Sequence, residues 1–316
     1  MEPANKIEAS IVIPSYDRMA LLERTLRGCF GQTFSSGAFE IVIADNHPQQ
    51  LARAVVERLQ LETPIPILYT SNVAHGIAAI RNAGVKAARG RFIAFVDDDE
   101  EPQPGWLEAL HSSLERTGAD AAFGPKFPVF ESGHAPDWDP EGWYYTCDFR
   151  LPRDGEIILF GRRRPRGKGL GTGNSMFRVE TCFADREPFN VKMVNGEDTE
   201  LFFRLLHGGA RFVWTPEAIV REFIETSRTD FNYMRRRLMR SSQHYAISRV
   251  TTSKNPGVSR IKVAILGLGQ VIVHGVLFIL TGEFLDPKRV ANRMGIAKGW
   301  GKLTYRHQIG FINNTA

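Results

Sequence analysis

Three adjacent carboxylates, Asp97, Asp98 and Asp99, directly follow the apolar run FIAFV. A short apolar run of this kind reads as a buried strand, and a strand end fixes the backbone while three like charges crowd one small volume. Carboxylates so placed repel one another unless a cation joins them. Hard divalent ions such as Mg2+ or Mn2+ take oxygen ligands and share their shell with substrate phosphates, so the cluster predicts a metal-diphosphate site. An isolated DDD is otherwise a solvated acidic turn or a helix cap. That alternative is disfavoured here, because open α/β sheets bind ligands beyond the carboxyl ends of their strands.

Other candidates have the same placement. Asp45 ends the run EIVIAD and precedes Asn46 and His47. Its carboxylate could accept hydrogen bonds from a base or ribose, or it could start a turn and cap the next helix. The segment GIAAIRNAG opens a helix with Ile77, Ile80, Gly84 and Val85 on one face, leaving Arg81 and Asn82 off that face to reach the site. A guanidinium can grip phosphate oxygens in a two-pronged geometry. Glu197 and Asp198 open the helix GEDTELFFRLL, anchored by Leu201, Phe202 and Leu205, and the helix dipole favours acids there.

The elements that must position these groups are legible from periodicity. Strands SIVIP, EIVIAD, IPILYT, RFIAFVD and DAAFGP alternate with helices near residues 19–30, 48–59, 76–88 and 104–117, which predicts an α/β fold with a mainly parallel sheet. Residues 126–168 read as irregular and rich in Pro, Gly, Trp and Tyr, as befits a lid or acceptor-binding segment. GTGNSMFRV then reads as a strand and RFVWTP as another. The apolar stretch 263–281 stands at the length threshold for crossing a bilayer.

The 316 residues, 43% hydrophobic, allow one large domain or two modest ones. The net charge of +5 is uneven, with clusters at Arg162, Arg163, Arg164, Arg166 and Lys168 and at Arg235, Arg236, Arg237 and Arg240. Such patches suit phosphates or an anionic membrane surface. No helix-turn-helix, zinc-finger or RNP pattern accompanies them, so nucleic acid is not expected as a partner. Three scattered cysteines indicate neither a disulfide framework nor a zinc site and fit a reducing cytoplasm. The first residues lack the pattern of a secretory signal.

Taken in order, IVIPSYDR, IVIAD, HGIAAIRNAG, FIAFVDDDEEPQPGWL, GTGNSMFR and GEDTELFFRL resemble the successive motifs of glycosyltransferase family 2, over roughly residues 9–240. With ETSRTDFNYMRRRLMRSSQHY and the apolar tail, the chain also resembles bacterial exopolysaccharide glucosyltransferases of the succinoglycan type. The resemblance implies a GT-A fold, an inverting mechanism, Mn2+ or Mg2+, and a nucleotide-diphospho-sugar donor, a UDP-sugar being the expectation. Carried over by position, it implies that Pro14, Tyr16 and Asp45 border the base and that Arg81, with Asp97 and Asp98, approaches the nucleotide. Asp97 and Asp99 would frame the metal, and Asp198, beside Glu197, would be the base. Arg228 and the run Arg235, Arg236 and Arg237 match a basic segment that is often near the donor diphosphate in the family. Two departures stand out: Ala44 precedes a lone Asp45 where the family commonly has paired acids, and the cluster at 162–168 has no counterpart.

The organisation expected is a catalytic domain over 1–240, with a nucleotide half at 9–125 and an acceptor half at 126–240, followed by a helical tail at 241–316. Both flanks of 263–281 are basic, Arg260 and Lys262 before it and Lys288, Arg289, Arg293, Lys298, Lys302 and Arg306 after it. Basic flanks are retained on the cytoplasmic side, so a peripheral or monotopic element at the cytoplasmic face is expected, beside a lipid-linked saccharide acceptor. A sugar-1-phosphate nucleotidyltransferase is the enzymatic rival, but its glycine-rich basic loop is missing. A non-catalytic scaffold is the other, and it leaves the DDD and ED motifs without a role.

Overall fold

The computed structural model describes residues 7–35, 38–72, 76–157, 169–193, 195–281 and 286–307. Strands and crossover helices alternate through the first part of the chain, because each amphipathic stretch must return the backbone over the sheet before the next parallel strand. They are β1 (Ala9–Ser15), α1 (Met19–Phe30), β2 (Phe39–Asp45), α2 (Ala52–Gln60), β3 (Ile67–Ser71), α3 (Ile77–Ala87), β4 (Phe92–Phe95), β5 (Glu100–Pro102), α4 (Trp106–Thr117) and β6 (Ala121–Phe123). Every residue of β1 and β2 is buried, as in a sheet covered on both faces. The later elements are β7 (Lys126–Phe130), β8 (Gly155–Glu156), β9 (Ser175–Arg178), α5 (Val179–Cys182), α6 (Glu197–His207), β10 (Phe212–Trp214), β11 (Val220–Ile224), α7 (Phe231–Thr251), α8 (Pro256–Leu280) and α9 (Pro287–Leu303).

The described strands form an eight-stranded sheet, ordered β3-β2-β1-β4-β9-β6-β10-β8, and a three-stranded sheet, ordered β5-β11-β7. Parallel pairing holds across β3-β2-β1-β4. It breaks at β9, which is antiparallel to both β4 and β6. The cause is where the chain comes in. The Asn174 N–H bonds to the Phe95 carbonyl at 3.0 Å, at the carboxyl end of β4, so a strand begun there can only run back along β4. The segment expected to be irregular contains β7 and β8, and its basic cluster at 162–168 lies outside the described residues.

The chain divides into two compact units that interleave in sequence. The first is Met1–Pro128, Thr146–Met193 and Gly208–Phe223, and it holds the eight-stranded sheet. Its core runs from Ile11, Ile13, Leu22 and Leu26 to Trp106, Leu110 and Met176. The second is Val129–Tyr145, Val194–His207 and Ile224–Ala316. Helix α7 runs unbroken through residue 240, so the compact units do not follow the linear division drawn at 125 and 240.

In the second unit a cluster of Trp138, Tyr145, Ile224, Phe231, Met234, Val290 and Met294 ties α7 to α9. Helix α9 packs on both α7 and α8, and glycines let the backbones approach. A Cβ on Gly299 would stand 2.8 Å from the Gly267 carbonyl, and one on Gly301 would strike the Met239 carbonyl. The opposite side of α8 exposes Ile261, Ile265, Leu268, Ile272, Val276 and Ile279.

Candidate active site

The first unit brings together the candidates that follow β1, β2 and β4. Strands β1, β2 and β3 end level, with Ser15 beside Asp45 and Asp45 beside Ser71. Pro14 is buried within β1, whereas Tyr16 is 51% exposed, its ring centroid 5.1 Å from that of His47. Asp45 is fully buried. Its Oδ1 accepts from the His47 N–H at 2.8 Å, and its Oδ2 accepts from the Ala52 N–H at 3.0 Å and the Tyr69 hydroxyl at 3.0 Å. Of its two readings, the carboxylate carries out the turn-and-cap role, fixing His47 and the start of α2. Burial, followed by the bond to Asp45, pushes the Tyr69 phenol up to about 12.

Beyond β4 the acids form one tight turn, the Glu100 N–H bonding back to the Asp97 carbonyl at 3.1 Å. Each acid has a cationic partner. The Arg18 guanidinium bridges two of them, donating to Asp98 Oδ1 and to Asp99 Oδ2. Arg81 reaches Asp97 Oδ1 at 3.2 Å. Lys126 Nζ donates to Glu100 Oε1 at 2.8 Å, and Glu100 Oε2 accepts from the Asp97 N–H at 2.9 Å. Burial is the largest influence on Asp98, whose carboxyl is pushed up to about 7 although Arg18 opposes the rise. Burial likewise drives the Glu100 carboxyl upward against the pull of Lys126. It works against the Lys126 ammonium too, but Glu100 and Glu222 hold that group charged.

A loop from β9 closes over the turn. Asn174, at φ 60, donates to the Pro125 carbonyl at 2.7 Å and the Ala218 carbonyl at 2.8 Å, and its Oδ1 accepts from the Trp106 indole at 2.7 Å. Trp106 of the PGWL motif therefore positions this loop. Gly173 lies so close that a Cβ on it would stand 2.6 Å from both Glu100 carboxylate oxygens and 2.8 Å from Asp97 Oδ2. Asn82, expected to reach the site with Arg81, does not. Its carboxamide clasps the Phe189 backbone, donating at 2.8 Å and accepting at 2.9 Å. Sequence reasoning gave no role to Lys126 or Gly173, nor to Arg18, although Arg18 stands in PSYDR directly after a strand end.

In the second unit Gly196 directly precedes α6; its φ of +75 suits glycine, and a Cβ on it would collide with the His244 side chain. Glu197 is buried and Asp198 half-buried. Asp198 Oδ1 accepts from the Thr199 N–H at 2.6 Å and the Thr199 hydroxyl at 3.2 Å. The buried anchor is Leu201, Phe202 and Phe203, Phe203 replacing the expected Leu205. Burial first, then the Arg240 charge, pushes the His244 imidazole down to about 4. Arg228 donates to the Tyr233 hydroxyl at 3.2 Å. Burial lowers the Arg240 guanidinium, Tyr233 opposes, and the charges of Arg237 and Arg228 lower it further, so these groups form one cluster. Tyr233, Arg237 and Arg240 share a face of α7 by helical spacing. Arg236, three residues from Tyr233 and four from Arg240, borders the same face and is exposed, whereas Arg235 is exposed on another and acts instead on Arg293.

Among the described residues no three His, Cys, Asp or Glu side chains stand ready-gathered around a metal position. The donor set of the turn still fits a hard divalent ion. It is all carboxylate, and Asp98 Oδ2 is buried without a hydrogen-bond partner. Asp97 and Asp99 would hold such an ion, with substrate phosphates and water completing its shell.

A mainly parallel α/β sheet carrying an acid turn beyond a central strand defines a nucleotide-diphospho-sugar transferase of the GT-A fold. Mannosyltransferase PcManGT from Pyrobaculum calidifontis, solved with GDP-Man and Mn2+, shares the fold at a TM-score of 0.65 and 14% identity, over 96% of this chain and 89% of that one. S. aureus TarS 1-349, solved with UDP-GlcNAc, does so at 0.57 and 14%, over 95% and 92%. Residues 10–189 match Glycosyl transferase family 2, so the chain belongs to that family and is a glycosyltransferase. The succinoglycan biosynthesis protein ExoM of Rhizobium meliloti is 30% identical over 76% of this chain and 75% of its own. The GalNAc(5)-diNAcBac-PP-undecaprenol beta-1,3-glucosyltransferase of Campylobacter jejuni is 30% identical over 32% of each chain.

Proposed function

We propose that this enzyme transfers a hexose, with inversion, from a nucleotide-diphospho-sugar of the UDP-sugar class to a lipid-linked saccharide during cell-surface polysaccharide synthesis. The observation that carries the reading is the acid turn Asp97-Asp98-Asp99 at the end of β4, its charge already met by Arg18 and Arg81. A bound Mn2+ or Mg2+ supplies electrostatic stabilisation of the departing diphosphate. Asp99 and Asp97 hold that ion, Arg81 helps orient the phosphates, and Tyr16 offers an exposed ring on which the base can stack. Asp198 is the base. It is the more exposed of the Glu197-Asp198 pair, and both of its bonds fall on Oδ1, so Oδ2 takes the proton of the acceptor hydroxyl as its oxygen attacks the anomeric carbon. One displacement from the face opposite the leaving group inverts the configuration. Arg228 with Arg237 and Arg240, whose charges act on one another, suits the diphosphate, and Arg236 lies beside them on α7.

A lipid-linked acceptor is supported by the undecaprenol-linked saccharide in the Campylobacter relative's name and by α8. Helix α8 is long and apolar enough to cross a membrane, and little of it is buried against the rest of the protein. Crossing would drag α9, packed along it with Arg289, Asn292, Arg293 and Lys302, into the hydrocarbon. An in-plane position at the cytoplasmic face, with the Ile265–Ile272–Ile279 side immersed, avoids that cost. The test is a panel of sugar nucleotides assayed for nucleotide diphosphate release with Mn2+ or chelator, together with protease applied outside spheroplasts bearing a C-terminal tag. Metal-dependent release and a protected tag are expected. Release that ignores chelator would refute the metal reading, and a digested tag would refute the in-plane reading.

A further inference from the structure

Four consecutive acids, Asp97 to Glu100, are balanced by three cations, and the three differ in how free they are to leave. The side chains of Arg81 and Lys126 are 8% and 16% exposed, with Arg81 on Asp97 and Lys126 on Glu100. The Arg18 side chain is 33% exposed and spans two acids that are themselves almost wholly buried, Asp98 at 2% and Asp99 at 7%. It stands just before α1, where its backbone is not helical and its carbonyl accepts from the Leu22 N–H at 2.9 Å. A long side chain anchored at such a boundary can swing without disturbing strand or helix.

We propose that Arg18 is an exchangeable counter-ion of the acid turn: it neutralises Asp98 and Asp99 until a divalent ion takes Asp99 together with the donor diphosphate, and it then turns to the phosphate oxygens. The inference rests on the reading of Asp99 as a metal ligand. An ion arriving alone must compete with a guanidinium that already satisfies Asp99. An ion arriving with a diphosphate brings acceptor oxygens that the displaced guanidinium can bond in two-pronged fashion. Metal and nucleotide therefore bind cooperatively, each raising the affinity for the other by the same factor. The bare protein is protected from adventitious cations by the same contact. Asp98 keeps its backbone-anchored place, since the Thr25 hydroxyl bonds its carbonyl at 3.2 Å and its side chain is enclosed.

The experiment is direct Mn2+ binding, read from the free-ion electron paramagnetic resonance signal, with and without UDP or GDP. It compares the intact protein with Arg18→Gln, Arg18→Lys and Asp99→Asn. Removing the competing charge should tighten binding of Mn2+ alone by about tenfold or more in Arg18→Gln and abolish most of the gain that nucleotide gives. Arg18→Lys keeps the charge but bonds one carboxylate, so it should fall between the two. Mn2+ affinity in Arg18→Gln equal to or weaker than that of the intact protein overturns the proposal. Should that variant fail to fold, Arg18→Lys carries the test: tighter binding than the intact protein supports the proposal, and equal or weaker binding overturns it. Asp99→Asn with undiminished Mn2+ binding would instead refute the metal-ligand reading, a distinguishable failure.

Discussion

Replacing Gly173 with alanine adds one methyl group at the most crowded point of the acid turn. The backbone there is not in the left-handed region, so the substitution tests packing alone. The methyl carbon would stand 2.6 Å from both Glu100 oxygens, and reaching ordinary contact near 3.4 Å requires the carboxylate to retreat by roughly 0.8 Å. Glu100 is buried and held by Lys126 at 2.8 Å and by the Asp97 N–H at 2.9 Å. A retreat of that size stretches at least one of these bonds beyond hydrogen-bonding range. A bond to a charged group contributes about 1.5–3 kcal/mol, and overpacking costs about 1–3 kcal/mol by itself. We expect a loss of about 3–6 kcal/mol, which lowers Tm by about 5–15 °C. The displacement of Asp97 should also raise the Mn2+ concentration needed for half-maximal turnover. Differential scanning calorimetry and a metal titration read both effects. A variant with the parent's Tm and metal dependence would refute the account of how Glu100, Lys126 and Gly173 hold the turn.

Asp198→Asn should keep nucleotide binding by calorimetry and lose about 100- to 10,000-fold in turnover, the range of general-base catalysis; surviving turnover would move the role to another acid. The lowered His244 imidazole leaves the folded protein binding fewer protons than the unfolded chain between about pH 4 and 6.5, so stability should fall as pH drops through that window, by up to about 3 kcal/mol. His244→Gln should flatten this acid limb in urea titrations, and an unchanged slope would contradict it. Ile265, Ile272 and Ile279 repeat along one side of α8 at 67%, 55% and 80% exposure. Glutamate at all three should move the protein to the soluble fraction on cell fractionation, whereas retention with the membranes would argue against immersion of that side.

The strands that build the site were legible because burial on both faces leaves near-continuous apolar runs, and the acids were legible because three carboxylates at a strand end have few other uses. The groups that tune the turn were not. Gly173 acts through close approach from a distant loop, and Lys126 acts from the first residue of a strand in the smaller sheet, neither of which leaves a periodic trace. Asn82 lies off the apolar face of α3 as expected, yet its partner is the Phe189 backbone 107 residues away. Helix α8 announced itself by composition. Helix α9 did not, since glycines, Asn292 and Lys302 share its buried face with Val290, Met294 and Ala297 and dilute the apolar stripe. Arg235 separates from Arg236, Arg237 and Arg240 only when the helical rotation of α7 is laid against Tyr233.

The central claim is that the acid turn binds a divalent ion with the donor diphosphate and that this drives sugar transfer. Nucleotide diphosphate release should be followed from the preferred sugar nucleotide, for the intact enzyme and Asp99→Asn, across a Mn2+ titration with a chelator control. The account predicts turnover that saturates with Mn2+, vanishes with chelator and is lost in Asp99→Asn while the fold persists. Turnover in Asp99→Asn equal to that of the intact enzyme, or turnover indifferent to chelator, would contradict it.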